Sequence, residues 1–78
     1  MYYVYVLLLS NNHYYIGFSA NLKQRIKSHF IGNVLQTKNH RPIKLVFYGA
    51  FISKLKALHF EKYLKTPSGF AFRNKRLI

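Results

Sequence analysis

Acidic residues are almost missing from this chain. Glu61 alone stands against 13 Lys and Arg, for a formal net charge of +12. A single carboxylate excludes a two-metal hydrolytic site, which needs several acids to hold both ions. Cysteine is absent as well, so there is no disulfide framework and no thiolate metal site. Long hydrophobic runs are lacking too. The longest, Tyr2 to Leu9, falls far short of the roughly 20 apolar residues of a membrane-spanning helix. It has neither the basic start nor the small-residue cleavage site of a secretory signal. No amphipathic basic helix or lipid anchor is evident, which argues against a membrane partner. The expectation is a cytoplasmic protein.

What is present is positive charge and aromatic rings. Seven Tyr and seven Phe bring the aromatic share to 18% and hydrophobic residues to 50%. That is too apolar for a disordered basic tail. Seventy-eight residues make one domain, spanning 1–78, and a chain of this size buries only about 60% of its unfolded surface. Its limited core must therefore rest on packed rings. The sequence pI near 10.3 draws the protein to polyanions, of which nucleic acid is the commonest in a cell.

Tyr2 to Leu9 is continuously apolar, β-branched or aromatic, as in a strand covered on both faces. Ser10-Asn11-Asn12-His13 is turn chemistry, and Tyr14 to Phe18 resumes as the second arm of a hairpin. Asn21 caps a helix with Gln24 three residues on, and Leu22, Ile26 and Phe30 form its apolar stripe. Gly32-Asn33 ends it. Residues 33–42 are polar, basic and loop-like. Lys44 to Phe51 reads as a third strand, and Ser53 caps a second helix to about Lys65 with Ala57, Phe60 and Leu64 inward. Pro67-Ser68-Gly69 breaks that helix, and Phe70 to Leu77 forms a short third one carrying Arg73, Lys75 and Arg76 outward. The order ββαβαα predicts an α+β domain with a small, mainly antiparallel three-stranded sheet flanked by helices.

Several residues have chemical potential. Glu61 lies at the rim of the inward stripe of its helix, where it either pairs with a nearby cation or ligates a hard divalent ion. Arg25 and His29 are four apart and share a helix face. They are either a solvated basic face or a pair that holds a phosphate and moves a proton. Tyr5 and Tyr15 fall on one side of the sheet if the hairpin loop is odd in length. Gly17 marks a close backbone approach or a bend.

Order and spacing bring these together. Tyr3-Val4-Tyr5, then Tyr15-Ile16-Gly17, then Asn21-Leu22-x-x-Arg25-x-x-x-His29 and the distant Glu61 resemble the GIY-YIG nuclease domain. The resemblance is closest to its small stand-alone, bacterial-type members. Supporting stretches are Thr37-Lys38, Arg41-Pro42-x-Lys44-Leu45-Val46-x-Tyr48 and Ala57-Leu58-x-x-Glu61-Lys62-Tyr63-Leu64-Lys65. The first motif departs from the family pattern, with Tyr3 in place of Gly. An Asn often follows the family's glutamate, and Asn74 is the one available.

The resemblance implies hydrolysis of DNA phosphodiesters by in-line attack of water, with one Mg²⁺ or Mn²⁺. By the same resemblance Tyr5 orients or activates the water and Tyr15 lines the pocket. Arg25 holds the scissile phosphate, His29 assists proton transfer and Glu61 ligates the metal. Sequence selectivity is expected to be low, with Lys38, Arg41, Lys44, Arg73, Lys75 and Arg76 contacting the phosphate backbone. An inflection in rate near pH 6 to 7 is the signature expected of an unperturbed imidazole at His29 (pKa about 6.5). Two rival readings keep the fold: a non-catalytic nucleic-acid-binding module, and an accessory subunit whose protein partner supplies targeting through Phe70 and Phe72.

Overall fold

Tyr2–Leu8 forms strand β1, and in the computed structural model, which describes residues 1–78, every residue from Val4 to Leu7 is buried. The reason is topological. β1 is the middle strand of a three-stranded antiparallel sheet, between β2 (Tyr14–Ser19) and β3 (Lys44–Phe51), in the order β2-β1-β3. Its side chains alternate between two apolar clusters on opposite faces. Val4 and Val6 pack with Ile16, Ala57 and Leu64, while Tyr5, Leu7 and Leu9 pack with Leu22, Ile26 and Leu45. A continuous apolar run is what such a doubly covered strand requires.

The helices α1 (Leu22–Phe30) and α2 (Lys54–Leu64) therefore lie on opposite faces of the sheet. Both N-termini are capped as expected: Asn21 Oδ1 accepts from Gln24 N at 3.2 Å and Ser53 Oγ from Lys56 N at 3.2 Å. At the end of α1, Gly32 takes φ +83°. Its N–H donates to the His29 carbonyl and that of Asn33 to the Ser28 carbonyl, the paired bonds of a Schellman motif. The hairpin loop holds five residues, 9–13, and its odd length pairs Leu7 with Tyr15 and Tyr5 with Gly17. Tyr5 and Tyr15 thus share a face.

Three details differ from expectation. Phe30 is 50% exposed instead of closing the α1 stripe, and it borders an open apolar groove with Tyr48. The residue that α1 buries completely is the neighbouring His29. The loop of residues 33–42 is also less solvated than its composition implies: Val34 and Thr37 are buried and Lys38–His40 forms a 3₁₀ turn.

The chain end differs most. Pro67 does not interrupt a helix but begins one. Thr66 Oγ1 caps the Gly69 N–H at 3.1 Å, and Pro67 sits in the first turn of α3 (Pro67–Phe72), where a missing N–H costs no hydrogen bond. A π-helical turn, Arg73–Leu77, completes the chain. Arg73 does not point outward; it is only 8% exposed, folded between the rings of Tyr14 and Phe70.

Leu64 joins α2 to the first cluster and is fully buried. Leu64→Ala is expected to lower unfolding free energy by about 2–5 kcal/mol, read as a reduced urea midpoint at unchanged slope.

Candidate active site

Tyr5 is buried, and its ring lies directly over Gly17 on the paired strand. A β-carbon at Gly17 would occupy the space of the phenol's Cζ and hydroxyl. Glycine is the one residue that leaves room for the ring to cross the strand and deliver its hydroxyl to α1. There it meets His29 Nε2 at 2.8 Å and receives a hydrogen bond from Arg25 Nε at 3.4 Å. Arg25 and His29, one helical turn apart, grip the same oxygen.

The Arg25 bond is compatible with one arrangement that satisfies every group. Since Tyr5 O accepts from a permanent cation, its own hydrogen is free to point to His29 Nε2. His29 Nδ1 then carries the imidazole proton and donates to Thr37 Oγ1 at 2.8 Å. Tyr15 completes the wall. Its ring centre lies 5.2 Å from His29 and 6.4 Å from Tyr5, both within aromatic contact.

Charge follows from this packing. Burial, with the neighbouring Arg25 cation, depresses the His29 pKa to about 4, so the imidazole is neutral at pH 7. The sequence-based expectation of an inflection at pH 6 to 7 is corrected accordingly for the free protein. Burial likewise pushes the Tyr5 phenol up, and the Tyr15 and Glu61 charges add to this while Arg25 opposes them. The Tyr5 hydrogen bond raises Arg25 further and secures its positive charge.

Glu61 approaches from α2. Its side chain is 20% exposed, half-sunk at the rim as the helical spacing implied, and its charge acts on Tyr5. Lys65 holds Oε2 at 3.2 Å, leaving Oε1 without a protein partner. The pair is one turn of helix with an exposed lysine, a contact worth little and readily exchanged. No group of three or more His, Asp or Glu side chains is assembled as a metal cage. The donor set nevertheless suits Mg²⁺, which takes one or two carboxylates and fills its other positions with water and substrate phosphate oxygens.

Tyr5, Tyr15, Arg25 and His29 are thus brought into one cluster, with Glu61 electrostatically coupled to it. Arg25 also lines a polar recess of about 240 Å³ with Ser19, Asn21, Gln24 and Ser28. The basic residues are more dispersed. Lys38, Lys44, Lys75 and Arg76 are exposed and unpaired by any acid. Arg41 is tied down, donating to the Lys38 carbonyl of the 3₁₀ turn and to the Phe30 carbonyl at the C-terminus of α1, where a cation complements the helix dipole. Asn74 is occupied by Arg73 Nε at 3.1 Å. Thr37 is the member of the cluster whose role no spacing disclosed. A threonine in a polar stretch carries no signal for burial against a histidine eight positions earlier.

The paired tyrosines and the helical Arg25 and His29, with Glu61 acting on Tyr5 from α2, carry on this small α+β sheet the arrangement that the sequence resembled. The model of the GIY-YIG catalytic domain matches residues 1–76, and the chain belongs to that family. Domains of this family are typically nucleases that bind nucleic acid and generally use divalent metals. A UPF0213 protein of Clostridium perfringens is 38% identical over 78 residues, covering 99% of this chain and 80% of that protein. One of Limosilactobacillus reuteri is 37% identical over 67 residues, covering 82% and 70% respectively. The solution NMR structure of a UPF0213 protein of Bacillus halodurans superposes with a TM-score of 0.63 at 28% identity, over 99% of this chain and 87% of that one.

The buried neutral histidine has a thermodynamic consequence. Between pH 6.5, the ordinary histidine value, and about 4, the unfolded chain binds a proton that folded His29 refuses. Stability is therefore present above this window and lost as pH falls through it, by up to about 3 kcal/mol. Urea titrations from pH 7 to 4 are expected to show this slope, and His29→Gln to flatten it.

Proposed function

We propose that the protein is a metal-dependent DNA endonuclease, hydrolysing phosphodiesters with one Mg²⁺ or Mn²⁺ and with little intrinsic sequence selectivity. The observation that carries this reading is the Tyr5 hydroxyl held at once by Arg25 and by a neutral His29. That arrangement places a proton-transfer pair beside a guanidinium whose charge is permanent. The family match and the +12 charge, which favours polyanion binding, agree with it.

Glu61 would hold the ion through its unpartnered Oε1, Lys65 giving way. When bound, the ion supplies Lewis-acid stabilisation of charge on the phosphate oxygens. The chain's own residues supply the rest. Arg25, fixed by its bond to Tyr5, turns its terminal amino groups to a phosphate seated at the polar recess and stabilises the negative charge that gathers in the transition state. Tyr5 O orients the attacking water. As the phenol's own proton moves to His29 Nε2, Tyr5 O takes up the proton of the attacking water, and Thr37 keeps the imidazole in the tautomer that can receive it.

In the free protein the proton stays on Tyr5, because burial holds the phenol above its usual value and the imidazole well below. The pair therefore rests neutral. An anionic phosphate beside it favours the imidazolium, so the relay operates with substrate in place and is idle without it. Lys38, Lys44, Lys75 and Arg76 bind the nucleic-acid backbone without reading bases. DNA is the partner and residues 1–78 act as one domain, with targeting left to a protein partner.

Duplex DNA incubated with Mg²⁺ or Mn²⁺ is expected to be cleaved by the native chain, and chelation to abolish cleavage. Arg25→Ala and Glu61→Gln are each expected to lower the single-turnover rate on the order of 10²-fold or more. Cleavage indifferent to Glu61→Gln would refute the assignment. Tight DNA binding with no cleavage under any metal would favour the non-catalytic module instead.

A further inference from the structure

A second cavity of about 780 Å³, bordered by Tyr15, lies between the hairpin loop and α3, and Arg25 is not among its walls. Its walls include Asn12 and His13 from the loop, Gln36, Lys65 and Arg73. It contains cations and neutral hydrogen-bonding groups and no acid; the chain's single carboxylate touches it only through Lys65. A concave surface of this composition selects anions.

Arg73 gives the cavity chemical definition. The side chain is more than nine-tenths buried, yet no carboxylate neutralises it. Its guanidinium is clamped between two rings, with Cζ 4.4 Å from the Tyr14 ring centre and 4.9 Å from that of Phe70. Its one side-chain hydrogen bond is Nε to Asn74 Oδ1 at 3.1 Å. Both terminal amino groups are therefore free of protein partners. Since no buried side-chain nitrogen or oxygen lacks a partner, these groups reach the space of the cavity. The ring clamp thus fixes the cation while its amino groups stay open to solvent or to an incoming anion. A planar fork fixed in this way matches the two oxygens of a phosphate without further loss of side-chain freedom.

We propose that this cavity is a second phosphate site, in which Arg73 grips a backbone phosphate of the bound strand neighbouring the scissile one. Tyr15 is the partition shared with the catalytic cluster, so both sites lie along one strand. Lys65 and the side-chain amides of Asn12 and Gln36 are placed to complete the coordination. The site registers the strand relative to Arg25 and Glu61 while reading no base. The assignment of nucleic acid as its ligand rests on the nuclease reading.

The test has two arms. Titration of the native chain with inorganic phosphate, followed by NMR, is expected to shift the Arg73 Nε–H and the side-chain amides of Asn12 and Gln36. Absence of any shift at tens of millimolar phosphate overturns the site. The second arm measures binding of a short single-stranded oligonucleotide in the presence of chelator. Arg73→Gln is expected to weaken binding roughly 10-fold or more, the scale of a charge-assisted pair. Replacing one phosphodiester by a neutral methylphosphonate is expected to weaken the native chain similarly and to add little to Arg73→Gln. Unchanged binding in a folded Arg73→Gln chain overturns the proposal. Should that variant unfold, Lys65→Gln together with Asn12→Ala, which leave the ring clamp untouched, serves instead, and binding equal to native overturns it. A chain that cleaves DNA yet fails these tests loses only the second site. A phosphate response at Arg73 with no cleavage by the native chain refutes only the nuclease reading.

Discussion

The hydroxyl of Tyr5 is where sheet, helix and loop meet. Its ring crosses the adjacent strand over Gly17, and its oxygen is bound by Arg25 and His29 from α1. His29 is anchored in turn by Thr37 from the following loop. This chain of contacts closes one face of the sheet with polar groups where a small protein would ordinarily place aliphatic ones. The groups are all satisfied, with no buried side-chain donor or acceptor left unpaired. A fully satisfied buried network is rigid and specifies a single arrangement. The positioning needed for chemistry and the stability of this face thus come from the same bonds.

Electrostatically the molecule is lopsided. Thirteen cations and one carboxylate leave almost every positive group without an internal partner. The chain uses helix ends and rings as substitutes. Arg41 lies on the carbonyl end of α1, and Arg73 between Tyr14 and Phe70. Such contacts fix a cation in place while leaving its charge unneutralised, as binding a polyanion requires. The one carboxylate pairs weakly with Lys65, an arrangement easily opened to another cation.

Much of this was legible in advance. The apolar run of β1, the caps at Asn21 and Ser53 and the inward Ala57 and Leu64 all obey local rules, and the structure follows them, while the odd length of the hairpin loop was left open. The order and spacing of Tyr5, Tyr15, Arg25, His29 and Glu61 resembled a known family, and helix and strand periodicity placed Arg25 with His29 and Tyr3 with Tyr5 on common faces. The loop around Thr37 and the chain end were misread for a common reason. Composition reports how polar a segment is, whereas burial depends on what lies above it.

The sequence by itself therefore determined the element order, the two-faced central strand and the strong positive charge, and it carried the motifs of the family resemblance. The first three follow from periodicity or charge, which are properties of neighbouring residues, while the resemblance rests on the motif residues and their order. Only the tertiary structure decided that His29 is neutral and buried and that Arg73 faces inward between rings. It also made Thr37 part of the proton-bearing cluster. These depend on desolvation by residues distant along the chain, and no local pattern encodes how much water a fold leaves beside a side chain.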